Sequence, residues 1–130
     1  MSNILNPVEL TSALIKCRSI TPTSAGSIDL IISYLEPMGF TCTKINFGQG
    51  DEKVENLYAR FGSLEPNICF AGHVDVVPTG DEQSWSVDPF GGEINKGKIW
   101  GRGAADMKSG IAAFIAAVSE FMEINKNLKD

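Results

Sequence analysis

Helical and extended segments alternate along this chain of 130 residues, and that order constrains the fold more than any other feature. Asn6 followed by Pro7 is typical of a helix start, so a short helix is predicted from there to about Cys17. A second helix is predicted after the turn-rich segment 21–27, closed by Pro37 and Gly39. The apolar residues predicted to face inward are Val8, Leu10, Leu14 and Ile15 in the first helix and Leu30, Ile31, Tyr34 and Leu35 in the second.

Three extended runs come next, at residues 40–47, 56–61 and 67–71. The stretch 72–97 is rich in glycine and proline with little periodicity, which predicts a functional loop. The clearest helix comes last, and its predicted core contacts are Ile111, Phe114, Ile115, Val118, Phe121 and Met122. The whole pattern predicts an α/β, three-layer sandwich around a mainly parallel or mixed sheet.

Composition excludes several classes of protein. Hydrophobic residues make up 43% and charged residues 21%, as in soluble globular domains. A net charge of -5 with scattered cations argues against nucleic acid as a partner, and the longest apolar run, 111–118, is too short to cross a membrane. Three cysteines without a Cys-x-x-Cys spacing indicate reduced thiols, predicted to be buried at Cys42 and Cys69. A cytoplasmic location is expected.

A His-x-Asp pair ends the last extended run. Residues two apart in an extended chain point to the same side, so His73 and Asp75 are expected to share one face. A carboxylate beside an imidazole fixes its tautomer and makes the free ring nitrogen a better metal ligand. The alternative is a buried, structural histidine followed by a turn-forming aspartate, and the pair alone does not decide between them.

A glycine-rich segment precedes the last helix and contains Asp106. An aspartate there is ordinarily an N-cap, but its two diverging oxygens could also bridge two cations. Phosphate binding is rejected for two reasons. Asp106 stands where a dinucleotide fingerprint needs its third glycine, and Met107 precedes Lys108 where a nucleoside-triphosphate loop has glycine.

Several motifs together resemble one family. They are GHVDVVP at 72–78, GDE at 80–82, Trp85, Pro89-Phe90 and WGRGAADMK at 100–108. The family is that of the co-catalytic zinc hydrolases, which includes aminoacylases, acetylornithine deacetylase and glutamate carboxypeptidase. SITPTSAG at 19–26 and NLYAR at 56–60 are most similar to members that release succinate from N-succinyl-diaminopimelate. The likeness extends from about residue 14 to residue 118.

The resemblance implies roles for three residues. His73 is expected to be a terminal ligand of one zinc ion. The carboxylate of Asp106 is expected to bridge two zinc ions, and the peptide bond from Asp106 to Met107 is expected to be cis. Asp75 is expected to take part in catalysis as the partner of His73 that tunes the metal pair. Cobalt is expected as an alternative metal. Arg102 is expected to be a cation that orders the loop. Members of the family are commonly homodimers.

Residues 1–130 are expected to form the N-terminal portion of the metal-binding catalytic domain, without the dimerisation (lid) domain or the C-terminal catalytic portion. The general base and the other ligands would lie beyond residue 130, so the chain alone is predicted to be inactive. Two alternatives stay open. One is another deacylase or dipeptidase of the family, and the other is a non-catalytic interaction module with a vestigial metal motif.

Overall fold

A computed structural model describes residues 4–127 of the chain. Helix α1 spans Pro7–Lys16 and helix α2 spans Ser27–Leu35. Strands β1 (Thr41–Phe47) and β2 (Val54–Arg60) form an antiparallel pair, as do β3 (Glu93–Asn95) and β4 (Lys98–Trp100). Helix α3 spans Ser109–Ile124. No helix within residues 4–127 is long and apolar enough to cross a membrane.

The two predicted N-terminal helices are confirmed, with the expected start. Val8, predicted to face inward, lies instead in the first turn of α1, off the buried face, and is 40% exposed. The Asn6 side chain accepts a hydrogen bond from the Val8 amide at 2.9 Å, which caps α1. Helix α1 packs on α3, and all three helices contribute residues to one apolar core. Its buried members are Leu10, Leu14, Ile31, Leu35, Ile111, Ala112 and Ile115.

Helix α3 buries a narrower face than the sequence predicts. Small residues, Ala112, Ala116 and Ser119, share the buried face with Ile111 and Ile115 and let α1 approach closely. Phe121 is therefore not a core residue: it lies off this face and is 54% exposed.

The third predicted strand, 67–71, is not part of a sheet. Among the described residues no strand pairs with it, and Ile68 is 94% exposed. Cys69, predicted to be buried, is exposed for the same reason, whereas Cys42 is half-buried. Both described sheets are antiparallel, and parallel pairing is limited to one bridge between Ile20 and Val76.

A short hairpin begins at the end of the stretch, 72–97, that was predicted to be irregular. Strands β3 and β4 are joined by Lys96 and Gly97, with φ of +50° and +72°. Two consecutive left-handed residues suit a tight two-residue turn, and Gly97 is the sequence signal for it. The hairpin leads directly into the glycine-rich segment before α3.

Candidate metal centre

The backbone on either side of Asp75 is fixed by contacts with residues 19–21. The Val76 amide donates to the Ser19 carbonyl at 2.9 Å, and the Thr21 amide donates to the Val76 carbonyl at 3.1 Å. Val74 is half-buried and Val76 is buried, while His73 and Asp75 are exposed. This alternation places His73 and Asp75 on one face, as predicted.

Asp106 lies in a kinked turn, Ala104–Lys108, before α3. Its φ and ψ of -127° and 97° are not helical, and its peptide bond to Met107 is cis, as the resemblance implies. Helix α3 begins at Ser109, and the residue in the N-cap position is Lys108. An N-cap role for Asp106 is therefore wrong, because the kink separates it from the helix, and its side chain is 87% exposed.

The kink brings the carboxylate of Asp106 to the imidazole of His73. The Asp106 Oδ1 atom lies 3.0 Å from His73 Nε2, across 33 residues of sequence. The other ring nitrogen, Nδ1, lies 3.0 Å from the backbone carbonyl oxygen of Asp75 and 3.4 Å from its carboxylate Oδ1. Asp75 therefore lies next to this ring nitrogen, with its backbone carbonyl closer than its side chain.

Both ring nitrogens of His73 face oxygen atoms that only accept hydrogen bonds. A neutral imidazole carries one N–H and satisfies one of them, whereas the imidazolium satisfies both. The pKa of His73 is therefore raised above its ordinary value of 6.5, first by the Asp75 backbone carbonyl and then by the Asp106 carboxylate, with partial desolvation opposing them.

This arrangement predicts the titration of His73 in the metal-free 130-residue chain. His73 is the only histidine, so one set of imidazole NMR signals reports its pKa. We expect a value above 6.5, and a lower value in Asp106→Asn, which keeps the shape but removes the charge. Asp51→Asn, on the turn between β1 and β2, is the control and leaves the value unchanged. A wild-type pKa below 6.5 would contradict the pairing.

The same two atoms fit one zinc ion. Zinc–nitrogen and zinc–oxygen bonds of about 2.0–2.2 Å in a tetrahedral site place two donors about 3.3 Å apart. The observed 3.0 Å separation needs a displacement of only a few tenths of an ångström. Asp106 Oδ2 accepts no hydrogen bond from the residues that the structure describes, so it is available to a second ion.

Two donors do not complete a catalytic zinc site, which usually has three protein ligands. Within residues 4–127, no three histidine, cysteine, aspartate or glutamate side chains are grouped closely enough to hold one ion. Asp75 does not make up a third donor, because it lies on the Nδ1 side of the ring.

The loop beside the pair is ordered by aromatic residues. The Trp85 indole N–H donates to the Thr79 carbonyl at 3.1 Å, and the Arg102 guanidinium lies over the Trp85 ring at 5.2 Å. Phe90 is buried, and the Arg18 guanidinium lies 4.6 Å above its ring. Trp85 and Phe90 thus make structural contacts, and the position of Arg102 over the Trp85 ring is that of a cation that orders the loop.

Two buried polar residues at the site were missed by reasoning from the sequence. Lys108 is completely buried, and its Nζ atom donates to the carbonyls of Leu14 and Cys17 at 2.9 and 2.8 Å. Burial lowers the pKa of Lys108 to about 8, against an opposing contribution from Cys17. Ser19 is also completely buried, and its hydroxyl donates to the Val74 carbonyl at 2.6 Å. A lysine in a polar motif gives no sequence signal of burial.

Known proteins share this chain's sequence and fold. Residues 69–130, which include all three candidate residues, match the model of peptidase family M20/M25/M40. Over 121 residues the chain is 58% identical to the succinyl-diaminopimelate desuccinylase of Rhodospirillum centenum (strain ATCC 51521 / SW), an alignment that covers 92% of this chain. Over these residues the chain is similar to members of peptidase family M20/M25/M40.

Two further known proteins are similar to this chain. Identity to the succinyl-diaminopimelate desuccinylase of Caulobacter vibrioides (strain NA1000 / CB15N) is 53% over 115 residues, covering 88% of this chain. Human carnosine dipeptidase 1 has a similar structure, with a TM-score of 0.77 and 26% identity over 92% of this chain. That likeness confirms the α/β zinc-hydrolase fold.

The chain spans about a third of the length of the curated relatives that it matches: 31% of the Rhodospirillum protein and 29% of the Caulobacter protein, and it covers 28% of the carnosine dipeptidase chain. Members of the M20/M25/M40 family are generally metal-dependent hydrolases, typically with zinc.

Proposed function

We propose that this chain forms the N-terminal portion of the catalytic domain of a zinc-dependent amide hydrolase. The proposed reaction is hydrolysis of N-succinyl-diaminopimelate to succinate and diaminopimelate, a step toward lysine. The observation that carries the proposal is the 3.0 Å contact between His73 Nε2 and Asp106 Oδ1, which supplies two donors to one ion. The 58% and 53% identities to desuccinylases support the substrate.

Each of the three candidate residues has a distinct task in this proposal. His73 would hold zinc through Nε2, and Asp106 would hold zinc through its carboxylate. The backbone carbonyl of Asp75 accepts a hydrogen bond from the N–H at Nδ1, which leaves the Nε2 lone pair free for the metal. The carboxylate of Asp75 tunes the basicity of the ring. Two bound zinc ions, with cobalt as an alternative metal, would polarise the amide carbonyl and lower the pKa of the attacking water.

The remaining parts of the site would come from the rest of the enzyme. Hydrolysis needs a general base to take the proton of the water and pass it to the leaving amine. His73 and Asp106 are committed to the metals, and Asp75 to the imidazole. We therefore expect the 130-residue chain alone to bind zinc weakly and to be inactive, with the base and the other ligands in the portion of the relatives that this chain does not span.

A dipeptidase is the second candidate. The likeness to human carnosine dipeptidase 1, at a TM-score of 0.77, favours it over unrelated chemistry. Both reactions would use an activated water molecule and a polarised amide carbonyl in the same way. They differ in how the rest of the substrate is held.

Comparing substrates in the full-length enzyme tests the proposal. We expect kcat/KM for N-succinyl-diaminopimelate to exceed that for N-acetylornithine and for carnosine by at least about a hundredfold, because groups that bind the succinyl carboxylate are left unpaired by a substrate without a succinyl group. A higher value for either competitor would overturn the assignment of the substrate while leaving amide hydrolysis intact. Loss of all turnover in the full-length protein would favour the non-catalytic module.

Location and assembly belong to the same proposal. Cys17, Cys42 and Cys69 are all free thiols, which supports a reducing, cytoplasmic compartment. We expect the full-length enzyme to be a homodimer with a small-molecule substrate and with no nucleic-acid or membrane partner. Light scattering of the purified enzyme measures its mass in solution, and a monomer would contradict the assembly.

A further inference from the structure

Residues 14–21 contact both of the segments that carry the candidate metal donors. On the Asp106 side, the contact is made by Lys108, whose ammonium group reaches back to the last carbonyls of α1, those of Leu14 and Cys17. The same carbonyls also accept the backbone amides of Cys17 at 3.2 Å and Ser19 at 2.8 Å, and a cation at a helix C-terminus adds a favourable interaction with them. The turn that contains Asp106 is thereby tied to the end of α1.

On the His73 side, the contact is made by Ser19. Its hydroxyl donates to the Val74 carbonyl at 2.6 Å, and its own carbonyl accepts the Val76 amide at 2.9 Å. Thr21 adds a third bond, from its amide to the Val76 carbonyl. These hydrogen bonds fix the backbone on both sides of Asp75. The carbonyl oxygen of Asp75 in turn lies 3.0 Å from Nδ1 of the His73 ring.

Packing alone leaves the two donors loosely held. The side chain of His73 is 47% exposed and that of Asp106 is 87% exposed, so few neighbours restrict them directly. Metal sites need donor positions that are accurate to about 0.2 Å. The anchors on the two sides, Cys17 and Ser19, are only two residues apart, and both the Ser19 and the Lys108 side chains are completely buried.

We propose that residues 14–21 form a brace that sets the distance between His73 Nε2 and Asp106 Oδ1. Ser19 and Lys108 are its positioning residues: they do not touch the metal, and they act through the backbone on which the donors are carried. This inference rests on the proposed zinc function and adds to it two residues that control metal affinity.

Zinc affinity of the full-length enzyme tests the brace. Zinc ions are titrated against a chromophoric chelator, with the folded fraction measured by circular dichroism in the same samples. We expect Ser19→Ala to weaken zinc binding by about 10- to 100-fold, the usual effect of losing a residue that supports a ligand. Lys108→Met should also weaken it. Removal of a nearby positive charge would by itself strengthen cation binding, so weakening identifies lost geometry rather than lost charge.

Ser27→Ala is the matched control. Ser27 is also completely buried, and its hydroxyl also donates to a backbone carbonyl at 2.6 Å, that of Ser24 at the start of α2. It therefore loses the same kind of hydrogen bond without touching the brace. We expect its zinc affinity to stay within about twofold of the wild type, a change well below the effect of losing a ligand-supporting residue.

The outcomes separate the brace from the function on which it rests. If His73→Ala binds zinc as tightly as the wild type, the proposed metal site is wrong. If His73→Ala loses zinc but Ser19→Ala behaves like Ser27→Ala, the site stands and the brace is refuted. Where Lys108→Met does not fold, Ser19→Ala decides alone, because truncating one hydroxyl is the milder change.

Discussion

His73→Ala is expected to lower kcat/KM of the full-length enzyme for N-succinyl-diaminopimelate by about a thousandfold or more. The substitution removes a zinc ligand and leaves the Asp106 carboxylate without its partner at 3.0 Å. Polarisation of the carbonyl by the metal contributes several kcal/mol to the transition state, and a thousandfold loss corresponds to about 4 kcal/mol. Steady-state kinetics with saturating zinc measures the effect.

Asp106→Ala should lose activity to a similar extent, because it removes a donor from both ions. Asp51→Ala is the control: Asp51 is an exposed aspartate on the turn between β1 and β2, and its loss should leave kcat/KM unchanged. If His73→Ala or Asp106→Ala kept more than about a tenth of wild-type activity, a difference of less than about 1.4 kcal/mol, neither residue could be an essential ligand.

Gly103→Ala is expected to destabilise the domain by about 2–5 kcal/mol. Gly103 has a φ of +79°, which costs an alanine about 1–2 kcal/mol. An added Cβ would also lie 2.4 Å from Val76 Cγ1, and overpacking of this kind costs about 1–3 kcal/mol. Because Val76 follows Asp75 and Gly103 begins the turn that carries Asp106, the clash falls between the two donor segments.

Gly97→Ala separates the two causes. Gly97 has a similar φ of +72°, but a Cβ there would meet nothing within 4 Å. We expect it to cost only the backbone term, about 1–2 kcal/mol. Urea-induced unfolding of both variants, compared through the midpoint and slope of the transition, measures the difference. Equal destabilisation would show that Gly103 is needed for its backbone conformation alone.

The convergence of His73 and Asp106 was predicted from the family resemblance, and local chemistry accounts for only part of it. Alternation in an extended chain places His73 and Asp75 on one face, and the motif around Asp106 lies where the chain turns before its clearest helix. Their 3.0 Å contact across 33 residues, however, depends on tertiary structure. Only the combination of several motifs in order made that contact predictable.

Other features depend on contacts that periodicity does not encode. The run 67–71 has the composition of a strand, yet it stays exposed because no described strand pairs with it. Lysine is typical of protein surfaces, but the ammonium group of Lys108 is hydrogen-bonded in the interior by the carbonyl groups of Leu14 and Cys17. The Asp106 capping alternative failed because a kink, which no propensity scale predicts, separates Asp106 from α3.

The most direct measurement is a crystal structure of the zinc-loaded full-length enzyme, with anomalous differences collected on both sides of the zinc absorption edge. We predict a zinc peak at bonding distance, about 2.0–2.2 Å, from both His73 Nε2 and one Asp106 carboxylate oxygen. A zinc peak bonded to only one of these two side chains, or to neither, would contradict the shared metal site on which the proposed hydrolysis depends.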